Sequence, residues 1–362
     1  MSFLKNIFGK KSEPIESYND FWIWFQQNEK SFYNVVKSNK NIEKDFFNKL
    51  SPKLRELKEG FFFLTGMFNE CTAELVLTAD GNVKNIIFIE ELVNSAPKID
   101  GWKITAHKEP MDIEKLAISM GNYKFSSDNI NFYSNEIIGY PDEIDITIIH
   151  NDLNDENKGL LSNGTYIFLD NYLGEIDFLT TIDNIKIISN QEVQKELVPI
   201  AKLKDFLTWR QKEFIEKYEG VRYNTENDNY SILEAELENG NKLLAVINTE
   251  LLSWDSKASH PWICIITFKF DGRKTNGMPN DKDYMLLNDI EKEILEELID
   301  KNGYLNIGRQ TAESERNIFF ACADFRKPSK IFYEIQLKHQ SKFEIDFDIF
   351  KDKYWQAYER FI

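Results

Sequence analysis

The sequence predicts an α+β protein: an N-terminal α+β domain followed by a C-terminal ferredoxin-like βαββαβ domain. Three observations predict it. Residues 260–350 run strand–helix–strand twice in succession, the element order of that fold. Within this stretch two strands are apolar on both faces while the last alternates strictly, as the centre and edge of a sheet with strand order 4-1-3-2 require. Upstream, segments of helical and of strand periodicity are interleaved between turn signals.

Taken in order, residues 18–37 read as a helix with Phe21, Phe25, Phe32 and Val36 near one stripe. A second helix over 42–58 carries Phe46, Phe47, Leu50, Leu54 and Leu57, and Gly60 ends it where a left-handed cap is common. Residues 74–78 and 83–88 read as strands across an Asp80-Gly81 turn. A short helix over 89–95 stops before Pro97. In the strand 102–106, Trp102, Ile104 and Ala106 form the apolar face, with Lys103, Thr105 and His107 toward solvent. Residues 111–120 are expected as a short helix, and 130–133 and 143–150 as strands. Residues 160–182 mix strand-loving residues with helical spacing at Ile167, Leu169, Leu173 and Ile176, and are read as helix. A strand over 185–188 closes this region, a helix over 192–219 follows, and strands 230–238 and 242–248 meet at Asn239-Gly240. The last module has strands 260–270, 303–311, 317–324 and 343–350, helices 281–301 and 328–342, and a terminal helix 351–362. The implied organisation is a flexible tail 1–16, an N-terminal domain 17–190, a helical linker 191–229 and a C-terminal domain 230–362.

In the last module, strand one places Trp262, Cys264, Ile266 and Phe268 on one face and Ile263 and Ile265 on the other. Strand three sets Ile318, Phe320 and Cys322 against Phe319, Ala321 and Ala323. Strand four turns Phe343, Ile345, Phe347 and Ile349 inward and Glu344, Asp346 and Asp348 outward, and charges on an edge discourage edge-to-edge pairing. Doubly apolar central strands need a cover on their second face, for which the 230–248 hairpin and the flanking helices are candidates.

Composition limits the function. With 60 acidic against 44 basic residues the net charge is −16, which repels phosphate backbones, so nucleic-acid binding is not expected; such a balance suits solubility, a basic protein partner, or neither. Three dispersed cysteines support neither a disulfide framework nor a zinc cluster, and point to a reducing, cytoplasmic compartment. No run approaches the roughly 18 apolar residues of a membrane span, so integral membrane association is not expected. At the N-terminus, Phe3, Leu4, Ile7 and Phe8 would share a helical face beside Lys5, Lys10 and Lys11; the segment reads as a frayed tail, with a membrane-surface or docking tag as the sharper alternative. The histidines, His107, His150, His260 and His339, have no metal-ligand spacing, and no phosphate loop or nucleophile motif occurs. No metal, cofactor or catalytic residue is therefore assigned, although a group activated only by its folded surroundings leaves no motif.

Three surfaces carry candidate binding residues. Glu344, Asp346 and Asp348 form a carboxylate row suited to a basic peptide or hard cation, or else a solvated edge beside Lys269. The helix 281–301 has eight acidic residues against three lysines, and Glu293 and Glu297 lie on its charged side; its stripe of Leu287, Ile290, Ile294 and Leu298 explains its burial without a partner. Arg309, Gln310 and Thr311, with Arg316 across the hairpin, could hold a carboxylate or phosphate, or make surface pairs with Glu313 and Glu315.

His260-Pro261-Trp262 entering a strand, Asn276-Gly277-Met278-Pro279 before an acidic helix, Gly308-Arg309-Gln310-Thr311 and the strand 317–321 are landmarks of a further kind. Through them residues 253–325 resemble the bacterial family called domain of unknown function 695. Phe21 to Phe25, Thr78-Ala79-Asp80-Gly81, Ala96-Pro97 with Trp102, and Leu173-Gly174-Glu175 look like the partner domain often fused ahead of it. A similar ferredoxin-like module occurs in the regulator of ribonuclease activity B family, acidic proteins that inhibit an RNA-degrading enzyme by binding it. The expectation is a non-catalytic protein-binding or regulatory role of inhibitor or immunity type. The alternative is a small-anion binder or enzyme built on Arg309, Thr311 and Arg316.

Overall fold

In the computed structural model, which describes residues 14–362, the chain divides between Lys108 and Glu109 into two units. The Phe/Lys segment before residue 14 lies outside the described residues. Ile15, expected within the tail, is buried, and its N–H donates to the Glu56 carboxylate at 2.8 Å.

Aromatic packing builds the first unit. Helix α1 (Tyr18–Ser38) starts at Ser17, whose hydroxyl accepts from the Asp20 N–H, and ends at left-handed Asn39. Its buried stripe of Phe21, Trp22, Phe25, Phe32 and Val36 meets Phe46 and Trp102 in edge-to-face contacts of 4.9–5.1 Å. A π-helical turn at Glu43–Phe47 leads into α2 (Asn48–Leu57). Strands β1 (Phe62–Asn69) and β2 (Thr72–Thr78) pair antiparallel; α3 (Ile86–Asn94) then crosses over to β3 (Trp102–Ala106), which runs parallel to β2. The expected strand over 83–88 is therefore replaced by helix. The hairpin partner of β2 is the preceding strand, and after left-handed Asp80 and Gly81 the Asn82 side chain accepts from the Lys84 N–H and opens a helical turn. Ile86, Ile89 and Leu92 are fully buried at helical spacing. Thr105 and His107, both expected toward solvent, are buried, and the Thr105 hydroxyl donates to the Glu74 carboxylate at 3.0 Å.

The second unit begins with a hairpin, β4 (Ile118–Met120) and β5 (Tyr123–Phe125), where a helix over 111–120 was expected. Gly121, with φ of 59°, supplies the turn. A four-stranded sheet follows, made of β6 (Ile130–Asn135), β7 (Asp145–His150), β8 (Asn184–Ile188) and β9 (Val198–Pro199) in the order β8-β7-β6-β9. Residues 160–182 are helical as read: α4 (Lys158–Leu173) and α5 (Glu175–Thr181), separated at Gly174, join β7 to its parallel neighbour β8. The helix expected from 192 begins only at α6 (Leu203–Tyr218), since Val198 and Pro199 pair with β6 instead. Ile200, Leu203 and Leu207 enter this core, so the segment read as a linker is partly structural.

The rest of the unit is a six-stranded antiparallel sheet. Its elements are β10 (Tyr230–Glu236), β11 (Lys242–Asn248), α7 (Thr249–Leu252), β12 (Trp262–Lys269), α8 (Asp281–Glu297), β13 (Tyr304–Ala312), β14 (Glu315–Cys322), α9 (Arg326–His339) and β15 (Glu344–Lys351). The strand order is β10-β11-β13-β14-β12-β15. Buried Leu287, Ile290 and Ile294 of α8 and Phe332 and Ile335 of α9 cover one face. The hairpin β10–β11, a candidate cover for the other face, instead extends the sheet beyond β13. That face is covered by Leu251 and Leu252 of α7 and by Trp355, Tyr358 and Phe361 of the chain end, packed over Ile263, Phe319 and Ala321. The chain end is a 3₁₀ turn, Gln356–Phe361, rather than the helix expected from residue 351, because β15 continues through Lys351.

Candidate functional site

Strand alternation sorts the hairpin candidates onto two faces. Arg309, Thr311 and Arg316 point to the helix side of the sheet; Gln310 points to the other, opposite Asn317 and Ala245. On the helix side α8 brings Tyr284, Asn288 and Glu291 together at positions i, i+4 and i+7. Arg316 is only 2% exposed: its Nε donates to Thr311 Oγ1 at 3.1 Å, one terminal nitrogen donates to Asn288 Oδ1 at 2.8 Å, and the guanidinium stands 5.3 Å from the Tyr284 ring centroid. Arg309 donates to Glu291 Oε1 at 2.8 Å, while Oε2 of the same carboxylate lies 3.9 Å from Arg316 without a hydrogen-bond partner. Burial pulls the Arg316 guanidinium below its ordinary value, against the attraction of Glu291.

This is a closed cluster. The two arginines share one carboxylate from within, that of Glu291, in place of the predicted surface partners Glu313 and Glu315. Sequence reasoning missed Glu291, Asn288 and Tyr284. The signal was a polar line at helical spacing beside the apolar stripe of α8.

The acidic candidates divide differently. On α8, Glu293 pairs with Lys338 at 2.6 Å and lies 3.5 Å from His339, and Glu297 lies 3.3 Å from Lys327. Both carboxylates thus serve the seam between α8 and α9. Burial opposes ionisation at Glu293, yet the Lys338 and His339 hydrogen bonds hold it below its ordinary value. On β15, Glu344, Asp346 and Asp348 are all exposed. Lys269 pairs with Glu344 at 2.8 Å, while Asp346 and Asp348 each accept from the next backbone N–H, of Phe347 and Ile349, at 2.8 and 2.9 Å. Those bonds occupy N–H groups of an edge strand and so blunt it against strand addition.

The register places the row on a larger platform. Asp346, Thr267, Asn317 and Gln310 lie side by side across four strands, and Glu344, Lys269 and Glu315 form the next row. None of these seven residues is fully buried. They occupy the part of the sheet face that the chain end leaves open, with three carboxylates against one ammonium. Beyond Gln310 the row enters the covered part of the face, where Ala245 is fully buried and Leu233 packs on the same core.

Among the described residues, no group of three or more His, Cys, Asp or Glu is disposed to hold a metal ion, and no helix is long and apolar enough to cross a membrane. Cys264 and Cys322 are buried free thiols, and Cys71 is an exposed one.

The fold and these surfaces define a mixed α+β protein whose C-terminal part is an antiparallel sheet backed by two helices. Residues 235–362 match the model of a protein family described as a family of unknown function (DUF695), which agrees with the landmarks in that part of the sequence. No curated protein and no solved structure matches the chain.

Proposed function

We propose that this is a non-catalytic, cytoplasmic binding protein of inhibitor or immunity type, which takes a basic protein partner on the open part of its C-terminal sheet. The observation that carries the reading is the platform of Glu344, Asp346, Asp348 and Glu315, set on paired strands. A rigid acidic field suits a partner that presents lysines or arginines. The net charge of −16 adds long-range attraction for such a partner. Three free thiols are in keeping with a reducing compartment.

The fold assignment belongs to the same reading. The strands β12, β13, β14 and β15 carry the chain order of a ferredoxin-like unit, their spatial order supports a 4-1-3-2 sheet, and the β10–β11 hairpin would be an addition at its second strand. The anion-binding alternative at Arg309, Thr311 and Arg316 is the less favoured reading, since Arg316 is buried and each of the three already meets a partner among Glu291, Asn288 and one another.

The test is affinity capture with purified protein at low and physiological salt, using wild type and the isosteric triple variant Glu344→Gln, Asp346→Asn, Asp348→Asn. These substitutions keep the side-chain oxygens that cap the strand edge. The expected result is a basic partner retained by wild type, weakened by salt, and bound at least about tenfold more weakly by the variant. Equal capture by both proteins, or none by wild type at low salt, removes the reading.

A further inference from the structure

A cavity of about 260 Å³ lies between the C-terminal sheet and helices α5 and α6. One side is apolar and largely aromatic, formed by Ile176 of α5, Phe214 of α6, and Trp262 and Phe325 of the sheet module. The other side is cationic. Lys351 donates to the Thr180 and Thr181 carbonyls at 2.7 and 3.3 Å and to Asp183 Oδ1 at 2.7 Å. Lys353 donates to the Asp142 carbonyl at 2.5 Å and to Asp183 Oδ2 at 2.7 Å, and its ammonium stands 4.6 Å from the Phe214 ring centroid.

Two features are unbalanced. A lysine ammonium has three donors; those of Lys351 have three oxygen acceptors, whereas Lys353 has two and a ring. The single Asp183 carboxylate accepts from both ammonium groups and Glu143 acts on each at longer range, so Lys353 is short of an acceptor rather than of a counter-charge. At the rim, Arg326 and Asp324 pair at 3.0 Å. Independently, Thr181 lines the cavity, is 6% exposed, and its hydroxyl has no hydrogen-bond partner. Buried hydroxyls and buried ammonium donors ordinarily have partners. Burial also pulls Lys351 down to about 8, against the attraction of Asp183 and Glu143 and with the like charge of Lys353 beside it.

We propose that this cavity binds a small organic monoanion, a carboxylate on an aromatic or branched aliphatic body. The carboxylate accepts from Lys353 and Thr181, and the body packs between Trp262, Phe214 and Phe325. The volume falls just below the roughly 300–1,000 Å³ of drug-sized sites, which excludes a nucleotide. Inorganic phosphate would accept from the same donors and leave the aromatic walls uncovered.

Calorimetry and thermal unfolding of the full chain with benzoate test this, with benzamide as the neutral isostere and inorganic phosphate as the bare anion. Benzoate at roughly 10 mM is expected to raise Tm and release measurable heat, with benzamide and phosphate much weaker. Thr181→Val, a mild change of shape, is expected to weaken benzoate about three- to tenfold, and Lys353→Met by tenfold or more. Should Lys353→Met fail to fold, Thr181→Val still decides. The proposal is overturned if benzoate produces neither heat nor a Tm shift, if benzamide binds as well as benzoate, if phosphate alone binds, or if Thr181→Val binds benzoate like wild type.

Discussion

Replacing Gly308 by alanine probes how the β10–β11 hairpin is joined to the rest of the sheet. Gly308 lies on β13 next to a register shift between Asn306 and Gly308, with φ of +135°, a region that L residues rarely enter. A Cβ built there would sit 2.1 Å from the Val246 carbonyl oxygen and 2.9 Å from Ile247 Cα. Both obstacles are backbone of β11, so relief requires β11 to move off β13. Strained backbone costs about 1–3 kcal/mol and overpacking about as much again. The lower entropy of an unfolded alanine chain offsets about 0.4–1 kcal/mol of that. The expected destabilisation is therefore about 2–5 kcal/mol, a large share of a typical total of about 5–15 kcal/mol. Urea unfolding of the whole chain measures it as a lower midpoint, and hydrogen exchange is expected to show the amides of β10 and β11 losing protection first. Gly66→Ala is the control, because a Cβ at Gly66 in β1 meets nothing within 4 Å. If Gly308→Ala shifts stability by less than about 0.5 kcal/mol, the range of ordinary surface changes, the argument fails.

Two further predictions concern buried charge. Glu291→Gln leaves Arg316, 2% exposed, without its carboxylate; breaking a buried pair in this way costs about 3–5 kcal/mol, and a denaturation midpoint equal to that of wild type would refute the pairing. Lys351, ordinarily at 10.5, is pulled to about 8 by burial, with Asp183 opposing. The unfolded chain thus holds more protons between about pH 8 and 10.5, so this group makes stability rise with pH through that window and imposes its full cost, about 3 kcal/mol, below it. Lys351→Met should flatten the rise, as followed by urea midpoints from pH 7 to 10.5; parallel profiles for the two proteins would contradict the assignment.

Local periodicity determined most of the elements by itself. The stripe of α1, the Asn239-Gly240 hairpin and the doubly apolar β12 and β14 were legible because side-chain spacing records which face is buried. The carboxylate row of β15 and the Arg309 hairpin were visible for the same reason, as polar residues at strand spacing. Tertiary structure decided what those faces meet. Asp80-Gly81 has the chemistry of a hairpin turn, but β2 had already paired with β1, and the residues after it took up helix. The cover on the second sheet face came from Trp355, Tyr358 and Phe361 rather than from the hairpin, since an apolar strand specifies burial without naming the partner. Charge was least legible of all. Lys353 meets Asp183 across 170 residues and Arg309 meets Glu291 across 18, and a charged side chain carries no mark of its partner at either distance. That physical gap separates Arg316, which looked like an open donor and is closed, from Lys353, which drew no notice and stands beside a cavity.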